Sequence, residues 1–460
     1  MSDYQLIVIG AGPGGYTAAL QAAAKGLHTA LVERREVGGT CLNRGCIPTK
    51  TLLHASQVYY DAVNGAPAGV HAGDITYDMG EIFAYKRSVS EKLRGGIHAL
   101  LKGAKVDLLE GTAQITAAGQ VAVTAADGTV TSYTADRILA ATGSVNVRPP
   151  IPGLDLPAVM TSDELLEGTD KPYESLVIIG GGVIGVEFAT FYANLGCRVT
   201  LVEGMANLLP TLDRELGQNL GQLLKKRGVE VLTGAMVQSL EESPEGITVH
   251  LSQKGKDVSV SGEKVLCAIG RRPYFDGLFA DGLTPELEGK RLRVDENYQT
   301  SIPTVYAIGD VSALVQLAHV AEAQAKDCVA KFVGSAGHTD LNVIPSCIYS
   351  APEIAVVGLT EAEAKERNIP AVAGKCTLFS NARTIIEDPG RCFMKLVANK
   401  DTHEIIGAQL MCQHASDMIS QLSTAMVHHL TAEQLLEVMR PHPSFEEALT
   451  EAVENLISKL

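Results

Sequence analysis

The chain carries one glycine-rich segment twice, and this repeat restricts the fold more than any other feature. The first copy is GAGPGG at residues 10–15, followed by a helical stretch and then by Glu33. The second copy is GGGVIG at residues 180–185, followed in the same way by Glu203. In both copies the acidic residue lies 23 positions after the first glycine. The matched spacing predicts two α/β units of strand, turn, helix and strand. The predicted strands are residues 6–9 and 29–32 in the first copy, and 176–179 and 198–202 in the second.

A glycine-rich turn between a strand and a helix is typical of a dinucleotide site. The glycines permit a tight turn, close approach of a pyrophosphate and close helix packing, and the helix N-terminus attracts phosphate. The later carboxylate binds ribose hydroxyls. One such motif could be a glycine-rich loop without function, but two matched copies favour two dinucleotides, a bound flavin and a nicotinamide. The predicted residues are Gly10, Gly12, Gly15 and Glu33 in the first site, and Gly180, Gly182, Gly185 and Glu203 in the second.

The segment GGTCLNRGCIPTK at residues 38–50 places Cys41 and Cys46 too far apart for the C-x-x-C thioredoxin motif. On one regular helix their sulfurs could not meet, so a redox pair requires the backbone to leave the helix, which Gly45 permits. Cys46 would then lie near the N-terminus of a following helix, where a thiolate is favoured. A zinc site is the alternative. It is disfavoured because zinc normally takes four ligands and no second Cys or His pair lies nearby.

Composition excludes several classes of function. The net charge of −15 argues against nucleic-acid binding, and no apolar stretch has the length of a membrane span. The first predicted strand begins close to Met1, so we expect no signal or transit peptide in this chain. Nine scattered cysteines favour a reducing compartment, so we expect a cytoplasmic enzyme. The length predicts roughly three or four domains.

Further segments carry a family resemblance. They are ATGS at residues 141–144, AIGRRP at 268–273, YAIGD at 306–310 and HPSFEE at 442–447. Together with the glycine motifs and the cysteine segment, they make the chain similar to the pyridine nucleotide–disulfide oxidoreductases over essentially its whole length. Within that family the sequence most resembles the dihydrolipoamide dehydrogenase branch.

The resemblance implies an α/β fold with two Rossmann-like dinucleotide-binding domains, a central domain and a C-terminal α+β dimerisation domain. The implied boundaries are 1–147 for the FAD domain, 148–272 for the NAD domain, 273–340 for the central domain that completes the FAD site, and 341–460 for the dimerisation domain.

The resemblance also implies the roles of individual residues, and no metal ligand is among them. The implied catalytic residues are Cys41, Cys46, Lys50, Glu187, His442 and Glu447. Besides the first glycine motif and Glu33, the implied FAD residues are Gly39, Thr40, Lys50, Ala113, Thr142, Gly143, Ser144, Asp310, Leu317, Ala318 and His319. Besides the second motif and Glu203, the implied NAD residues are Val237 and Gly270.

The implied reaction is oxidation of protein-bound dihydrolipoamide, with NAD+ as the final acceptor and FAD between the disulfide and NAD. The substrate dithiol would lose a proton to His442 and attack Cys41, while Cys46 would face the flavin. The implied partner is a second copy of the chain, because the His442–Glu447 dyad would act across a homodimer interface. A lipoyl domain of a 2-oxo-acid dehydrogenase, acetoin or glycine-cleavage complex would bring the substrate.

Related activities are disfavoured by particular residues. A glutathione-reductase-like enzyme using NADPH is the main alternative, but Glu203 should repel a 2′-phosphate and no Arg follows at residues 204–206. An NADH oxidase would need one redox cysteine, and a mercuric reductase would carry a vicinal cysteine pair near the C-terminus. Arg44, between the active cysteines, and Ala351 depart from the pattern of many relatives.

Some of these residues also have an ordinary structural explanation. Ser444 and Glu447 have capping-box spacing for a helix predicted over residues 445–457. Asp310 could be a turn aspartate, and Lys50 and Glu187 could be unrelated surface charges. The His428–His429 pair and the seven cysteines outside the 38–50 segment are expected to be structural. The final Ser-Lys-Leu is expected to be a helix end rather than a peroxisomal address.

Overall fold

The computed structural model describes residues 2–244 and 246–460. The helices are α1 Pro13–Ala24, α2 Gly39–Arg44, α3 Cys46–Val63, α4 Met79–Gly103, α5 Ser162–Glu167, α6 Val183–Asn194, α7 Arg214–Lys226, α8 Ala318–Phe332, α9 Glu361–Glu366, α10 Ala382–Glu387, α11 Ala415–Val427, α12 Ala432–Leu436 and α13 Glu447–Ile457. Short 3₁₀ turns lie at Ala66–Ala68, Gly309–Val311 and Leu378–Ser380.

The strands of the N-terminal half are β1 Tyr4–Ile9, β2 Thr29–Glu33, β3 Asp107–Glu110, β4 Thr112–Ala117, β5 Gln120–Thr124, β6 Val130–Ala140, β7 Ser144–Asn146, β8 Val159–Thr161, β9 Ser175–Ile179, β10 Arg198–Glu203 and β11 Glu230–Thr233. The remaining strands are β12 Ala235–Ser243, β13 Gly246–Gln253, β14 Lys256–Gly262, β15 Lys264–Cys267, β16 Arg271–Pro273, β17 Leu287–Glu288, β18 Arg291–Leu292, β19 Val305–Ala307, β20 Ser346–Ile348, β21 Ile354–Gly358, β22 Ala371–Thr377, β23 Phe393–Asn399 and β24 Ile405–Met411.

The first glycine motif follows β1, an interior strand of a seven-stranded sheet with the order β3-β2-β1-β6-β5-β4, in which β19 also pairs with β6. Strands β2 and β6 flank β1 and run parallel to it. The order changes direction beside β1, and open α/β sheets bind ligands at such a switch point, outside the carboxyl ends of the strands. The turn from β1 to α1 is therefore placed where a ligand can reach it.

The second glycine motif lies in a separate parallel sheet with the order β11-β10-β9-β15-β8. Here β9 takes the place of β1, and α6 takes the place of α1. The two-stranded pair of β7 with β16 brings the entry to this unit and the exit from it side by side. An antiparallel sheet of β12, β13 and β14 accompanies it.

The C-terminal sheet is antiparallel, with the order β20-β21-β24-β23-β22. Helix α13 packs closely against β22. A Cβ atom built at Gly374 would lie only 2.3 Å from the carbonyl oxygen of Ala452, so glycine permits this close approach. Buried side chains of α11, α13 and the sheet form one core cluster. The predicted α/β architecture, with a C-terminal unit of sheet and helices, is confirmed.

The capping box predicted at the start of α13 is only half formed. The helix begins at Glu447 rather than at residue 445. The Glu447 side chain does reach back to the backbone N–H of Ser444, at 2.9 Å, but the Ser444 hydroxyl donates to the carbonyl of Pro441 instead of capping the helix. Hydrogen bonds within and next to the loop at residues 441–446 therefore replace the full capping box. The helix begins two residues later than predicted.

The C-terminal sheet is joined to the second α/β unit by a cluster of four charged residues. Lys395 of β23 contacts Asp213 at 2.7 Å and Glu215 at 3.1 Å, and its side chain is only 12% exposed. Lys375 of β22 also pairs with Glu215. Asp213 caps α7 through the backbone N–H of Glu215, so the cluster begins at a helix end that needs an acceptor.

Replacing Lys395 with methionine is expected to destabilise the protein by about 3 kcal/mol, because two carboxylates would remain half-buried without their shared cation. Lys375→Met is the matched control and should cost less, since that lysine is more exposed, at 32%. Denaturant-induced unfolding of both variants measures the difference. Equal costs for the two variants would contradict this account of the cluster.

Candidate active site

The first glycine turn leaves space for a ligand at one position and allows close backbone approach at two others. A Cβ atom at Gly10, which has φ +99°, would lie 2.5 Å from the carbonyl oxygen of Ala141, and one at Gly15 would lie 1.7 Å from that of Gly10. A Cβ atom at Gly12 would meet nothing within 4 Å. The open position faces the start of α1, where a phosphate group is attracted.

Glu33 is held in place by the same turn. One of its carboxylate oxygens accepts the backbone N–H of Ala11 at 2.8 Å, and the other accepts that of Arg35 at 2.9 Å. The carboxylate is therefore fixed beside the turn, with further lone pairs available to hydroxyl groups of a ribose.

The second turn repeats this geometry. A Cβ atom at Gly180 would lie 2.5 Å from the carbonyl of Ala268, and one at Gly185 would lie 1.8 Å from that of Gly180, while Gly182 is open. Glu203 accepts the backbone N–H of Gly181 and that of Met205, both at 2.6 Å. Both predicted dinucleotide cradles thus have the same construction.

A cavity of about 810 Å³ joins the first turn to the cysteine segment. Its wall contains all the residues predicted for the FAD site except Gly15, which packs behind the turn. The predicted residues in the wall are Gly10, Gly12, Glu33, Gly39, Thr40, Lys50, Ala113, Thr142, Gly143, Ser144, Asp310, Leu317, Ala318 and His319.

Asp310 is a partly buried carboxyl in the wall of this cavity. It lies in the turn after β19, and the Ser144 hydroxyl donates to it at 2.6 Å. Burial raises its pKa, while the hydrogen bond from Ser144 and the charge of Arg271 oppose that shift. A buried acceptor facing a cavity needs hydroxyl or N–H partners. Together with the open position at Gly12, it fits the ribityl and pyrophosphate parts of a flavin dinucleotide.

The helix of the cysteine segment is interrupted at Gly45, as predicted. Helix α2 ends at Arg44, Gly45 departs from helical geometry, and α3 begins with Cys46. A Cβ atom at Gly45 would lie 3.0 Å from the carbonyl oxygen of Thr40, so a larger residue would press on the preceding helix. Both cysteines are free thiols in the cavity wall.

The pKa values of the two thiols are shifted in opposite directions. The pKa of Cys46 is lowered, mainly by a hydrogen bond from the Cys41 thiol and further by the charge of Lys50. The pKa of Cys41 is raised, because its thiol donates that hydrogen bond and because it is buried. When the pair is reduced, the negative charge therefore belongs on Cys46.

Lys50 and Glu187 form an ion pair in the same cavity, with Nζ at 2.8 and 2.9 Å from the two carboxylate oxygens. Glu187 is buried on α6, so the pair connects the two α/β units. Sequence reasoning missed a third member, Tyr349. Its backbone N–H donates to Glu187 at 3.0 Å, and its ring lies 4.7 Å from the Lys50 ammonium. An aromatic residue after β20 carries no signal for this role in the sequence.

The second glycine turn lies outside the cavity. Neither Gly180, Gly182, Gly185 nor Glu203 belongs to its wall, and the same is true of Val237 and Gly270. Val237 lies in β12 and Gly270 in the exposed loop after β15. Helix α6 connects the two places, because it starts at this turn and its residues 183, 184, 187 and 188 line the cavity.

His442 and Glu447 form the predicted pair. Nδ1 of His442 lies 2.8 Å from one carboxylate oxygen of Glu447, and the other oxygen accepts the backbone N–H of Ser444. That backbone bond, with the contact to His442, lowers the pKa of Glu447. The His442 side chain is 74% exposed and is not part of the cavity wall of its own chain. The dyad thus lies outside the cavity that contains Cys41 and Cys46 of the same chain.

Sequence reasoning also missed Arg271, whose guanidinium donates to the Ser144 hydroxyl at 2.9 Å and to its carbonyl at 2.7 Å. Its position directly after Gly270, in the AIGRRP segment, could have indicated a role near the cavity. His428 and His429 lie just after α11, and both are exposed. Among residues 2–244 and 246–460, no group of three or more His, Cys, Asp or Glu side chains could hold a metal ion, and no helix is long and apolar enough to cross a membrane.

The geometry defines a class of protein with two dinucleotide cradles and a thiol pair between them. The family described as pyridine nucleotide-disulphide oxidoreductase matches residues 4–325, and its dimerisation domain matches residues 344–453. The chain belongs to this family.

Relatives within the family are similar over nearly the whole chain. A dihydrolipoyl dehydrogenase from Geobacillus stearothermophilus is 37% identical over 98% of this chain and 96% of its own length. One from Bacillus subtilis is 38% identical over 97% and 95%. Among solved structures, LpdA from Mycobacterium tuberculosis has a TM-score of 0.89 at 27% identity, covering 98% of this chain and 99% of that one. The flavoprotein disulfide reductase RclA from Escherichia coli has a TM-score of 0.87 at 27% identity, covering 99% of both.

Family membership confirms two predictions and supports a third. The cofactors are FAD and NAD, as predicted, and the first cradle with its cavity fits the flavin dinucleotide. The predicted fold class, including a C-terminal dimerisation domain, is confirmed. The presence of that domain supports the predicted homodimer.

Proposed function

We propose that this chain is a dihydrolipoyl dehydrogenase, which oxidises a dihydrolipoyl group to the cyclic disulfide and reduces NAD+ to NADH. The observation that carries the proposal is the position of Cys41 and Cys46 in the wall of one cavity. That cavity is bounded by the first glycine turn on one side and by α6 of the second unit on the other. Similarity of 37–38% to two enzymes of that name, over nearly the whole chain, supports the choice of substrate. Bound FAD and NAD supply the electron and hydride transfer.

The chain itself supplies thiol–disulfide exchange and proton transfer. His442 accepts a proton from one substrate thiol, and the resulting thiolate attacks Cys41 of the oxidised pair. The Cys41–Cys46 bond breaks, and Cys46 leaves as a thiolate near the Lys50 ammonium. The second substrate thiol then attacks the substrate sulfur of the mixed disulfide and gives its proton to Cys41. The substrate leaves as a cyclic disulfide, Cys41 is released as a thiol, and His442 holds the first proton. One dithiol is oxidised and one protein disulfide is reduced.

We propose that two copies of the chain share each site. His442 is exposed, lies outside the cavity of its own chain and belongs to the matched dimerisation domain. A partner chain can bring the dyad to the cysteines. The dihydrolipoyl group would arrive on the lipoyl domain of a separate 2-oxo-acid dehydrogenase, acetoin or glycine-cleavage protein.

The division of the chain belongs to the same proposal. We place the FAD domain at residues 1–147, the NAD domain at 148–272, the central domain at 273–340 and the dimerisation domain at 341–460. The β7–β16 pair close to two of these boundaries supports them. We place the protein in the cytoplasm, because the seven cysteines outside the redox pair are free thiols and a reducing compartment preserves them.

The direct test is to mix the purified holoenzyme with dihydrolipoamide and NAD+ and to follow NADH formation. Turnover is expected, while glutathione disulfide with NADPH should give none. The opposite result would favour the second candidate, an NAD(P)H-dependent disulfide reductase. One observation supports that candidate: the structural likeness to a flavoprotein disulfide reductase at 27% identity.

The choice of nicotinamide should depend on Glu203. Replacing it with glutamine would remove one acceptor and the charge that repels a 2′-phosphate, so the preference for NAD+ over NADP+ in kcat/KM should fall by about tenfold. Glu230→Gln is the control, because Glu230 lies on the adjacent strand and bonds Thr200. Initial rates with both nucleotides measure the ratio. An unchanged preference in Glu203→Gln would remove this residue from nucleotide selection.

A further inference from the structure

The loop that carries His442 is bonded largely to itself. The Ser444 hydroxyl donates to the carbonyl of Pro441 at 2.6 Å, and the Ser444 N–H donates to Glu447 at 2.9 Å. Glu447 in turn contacts His442. Because the His442 ring is largely exposed, the position of this loop decides where the other ring nitrogen, Nε2, points. A bond from another element would fix the loop to the rest of the domain.

Asn381 provides such a bond. Its side-chain Nδ2 donates to the carbonyl of Ser444 at 2.9 Å, and its Oδ1 accepts the backbone N–H of Thr384 at 2.9 Å and the Thr384 hydroxyl at 3.1 Å. Asn381 is the N-cap of α10 and is buried, with 8% of its surface exposed. The same side chain therefore caps a helix and holds the dyad loop.

Asparagine suits this position because it accepts and donates at once. An aspartate could accept from Thr384 but would face the Ser444 carbonyl with a second acceptor. A serine could cap the helix equally well but is too short to reach Ser444. The orientation of the amide follows from its partners, since the Thr384 N–H requires an oxygen and the Ser444 carbonyl requires an N–H.

We propose that Asn381 is a positioning residue for the His442–Glu447 dyad, acting through its hydrogen bond to the Ser444 carbonyl. This inference rests on the function proposed above. Asn381 itself does not contact the substrate in this proposal. It predicts that loss of the bond reduces proton transfer from the substrate thiol and leaves the flavin and nucleotide sites unaffected.

The test compares three variants of the holoenzyme. Asn381→Ser keeps the helix cap and loses the loop bond, Asn381→Asp keeps the cap and adds a negative charge, and Thr384→Val keeps the loop bond and weakens the cap. Each is assayed for dihydrolipoamide oxidation across pH and for reduction of ferricyanide by NADH, which needs no thiol substrate. Flavin content and thermal unfolding report whether each variant folds.

Asn381→Ser is expected to lower kcat/KM for dihydrolipoamide about tenfold and to leave ferricyanide reduction unchanged. In Asn381→Asp the acid limb of the pH profile should move to higher pH, because the added carboxylate favours the protonated dyad. Thr384→Val should behave like the wild type. If Thr384→Val loses as much activity as Asn381→Ser, helix capping is responsible and the inference is wrong.

The proposal for Asn381 can fail separately from the proposed function. If His442→Gln loses most dithiol oxidation while both Asn381 variants match the wild type, only the positioning role is wrong. If His442→Gln retains full activity, the dyad has no part in the reaction and the positioning role of Asn381 is wrong, while the proposed dihydrolipoyl dehydrogenase activity stands. If the wild type itself does not oxidise dihydrolipoamide, the proposed function is wrong.

Discussion

Replacement of Cys46 with serine is expected to reduce dihydrolipoamide oxidation by at least about 10⁴-fold, because a member of a catalytic unit that forms and breaks covalent bonds has no substitute. Serine differs from cysteine by one atom and cannot form the disulfide. The cavity should still hold FAD, since the residues that fit the flavin dinucleotide do not depend on the Cys46 thiol. NADH formation from dihydrolipoamide and NAD+ measures the loss, and flavin absorbance checks the fold.

Cys347 supplies a matched control for this prediction. It lies in the wall of the same cavity, it is not part of the 38–50 segment, and burial raises its pKa to about 11. Cys347→Ser should therefore keep wild-type turnover. If Cys347→Ser loses activity as completely as Cys46→Ser, the assignment of Cys41 and Cys46 as the redox pair would be in error.

Thiol labelling separates the two members of the pair. In the reduced protein Cys46 should react with iodoacetamide at lower pH than an ordinary thiol, because the Cys41 thiol and the Lys50 ammonium stabilise its thiolate. In Cys41→Ala, which removes the donor altogether, the Cys46 reaction should move to higher pH. In Cys46→Ser the half-buried Cys41, whose pKa is raised, should react slowly. The order of labelling thus tests which sulfur carries the charge.

The two dinucleotide cradles could be predicted because their requirements are local. In each turn one glycine has a positive φ, and a Cβ atom added to another would lie within 2 Å of a carbonyl oxygen. Both positions therefore require glycine, and the requirement is visible in the sequence. The break at Gly45 is local for the same reason. Helical periodicity and chain reversal at these points depend on a few neighbouring residues.

The contacts that depend on distant parts of the chain were harder to predict. Glu187 could be paired with Lys50 only by family resemblance, since 137 positions separate them and a buried carboxylate on a helix has many possible partners. Tyr349 joins this pair partly through a backbone N–H, which every residue except proline possesses, so its identity gives no signal. Asn381 contacts a loop 63 positions later.

The start of α13 shows how a correct motif can give a wrong boundary. Ser444 and Glu447 have the spacing of a capping box, and half of the box is present. The Ser444 hydroxyl accepts no helix N–H, however. It donates to the carbonyl of Pro441 in the loop that precedes the helix. The Glu447 carboxylate therefore bonds both the loop and His442. Capping-box spacing alone predicts only the first of these contacts.

Replacement of His442 with glutamine is expected to reduce kcat/KM for dihydrolipoamide by about 10³-fold, because the thiol then loses its positioned base. Glutamine retains the size and one hydrogen-bonding group but cannot take up a proton. Reduction of ferricyanide by NADH should be unchanged, since it involves no thiol. His428→Gln is the control, because His428 is also exposed in the C-terminal domain but lies outside the dyad.

Mixed dimers decide which chain supplies the base. If a chain with Cys46→Ser is co-expressed with a chain with His442→Gln and the heterodimer is isolated through two tags, one of its two sites combines intact cysteines with an intact histidine from the other chain. About half of the wild-type activity should then return, although each parent homodimer is nearly inactive. If the dyad serves its own chain instead, each site of the heterodimer carries one defect and no activity returns. A heterodimer of Cys46→Ser with the double variant should stay inactive in either case, so recovered activity can come only from a site built by two chains.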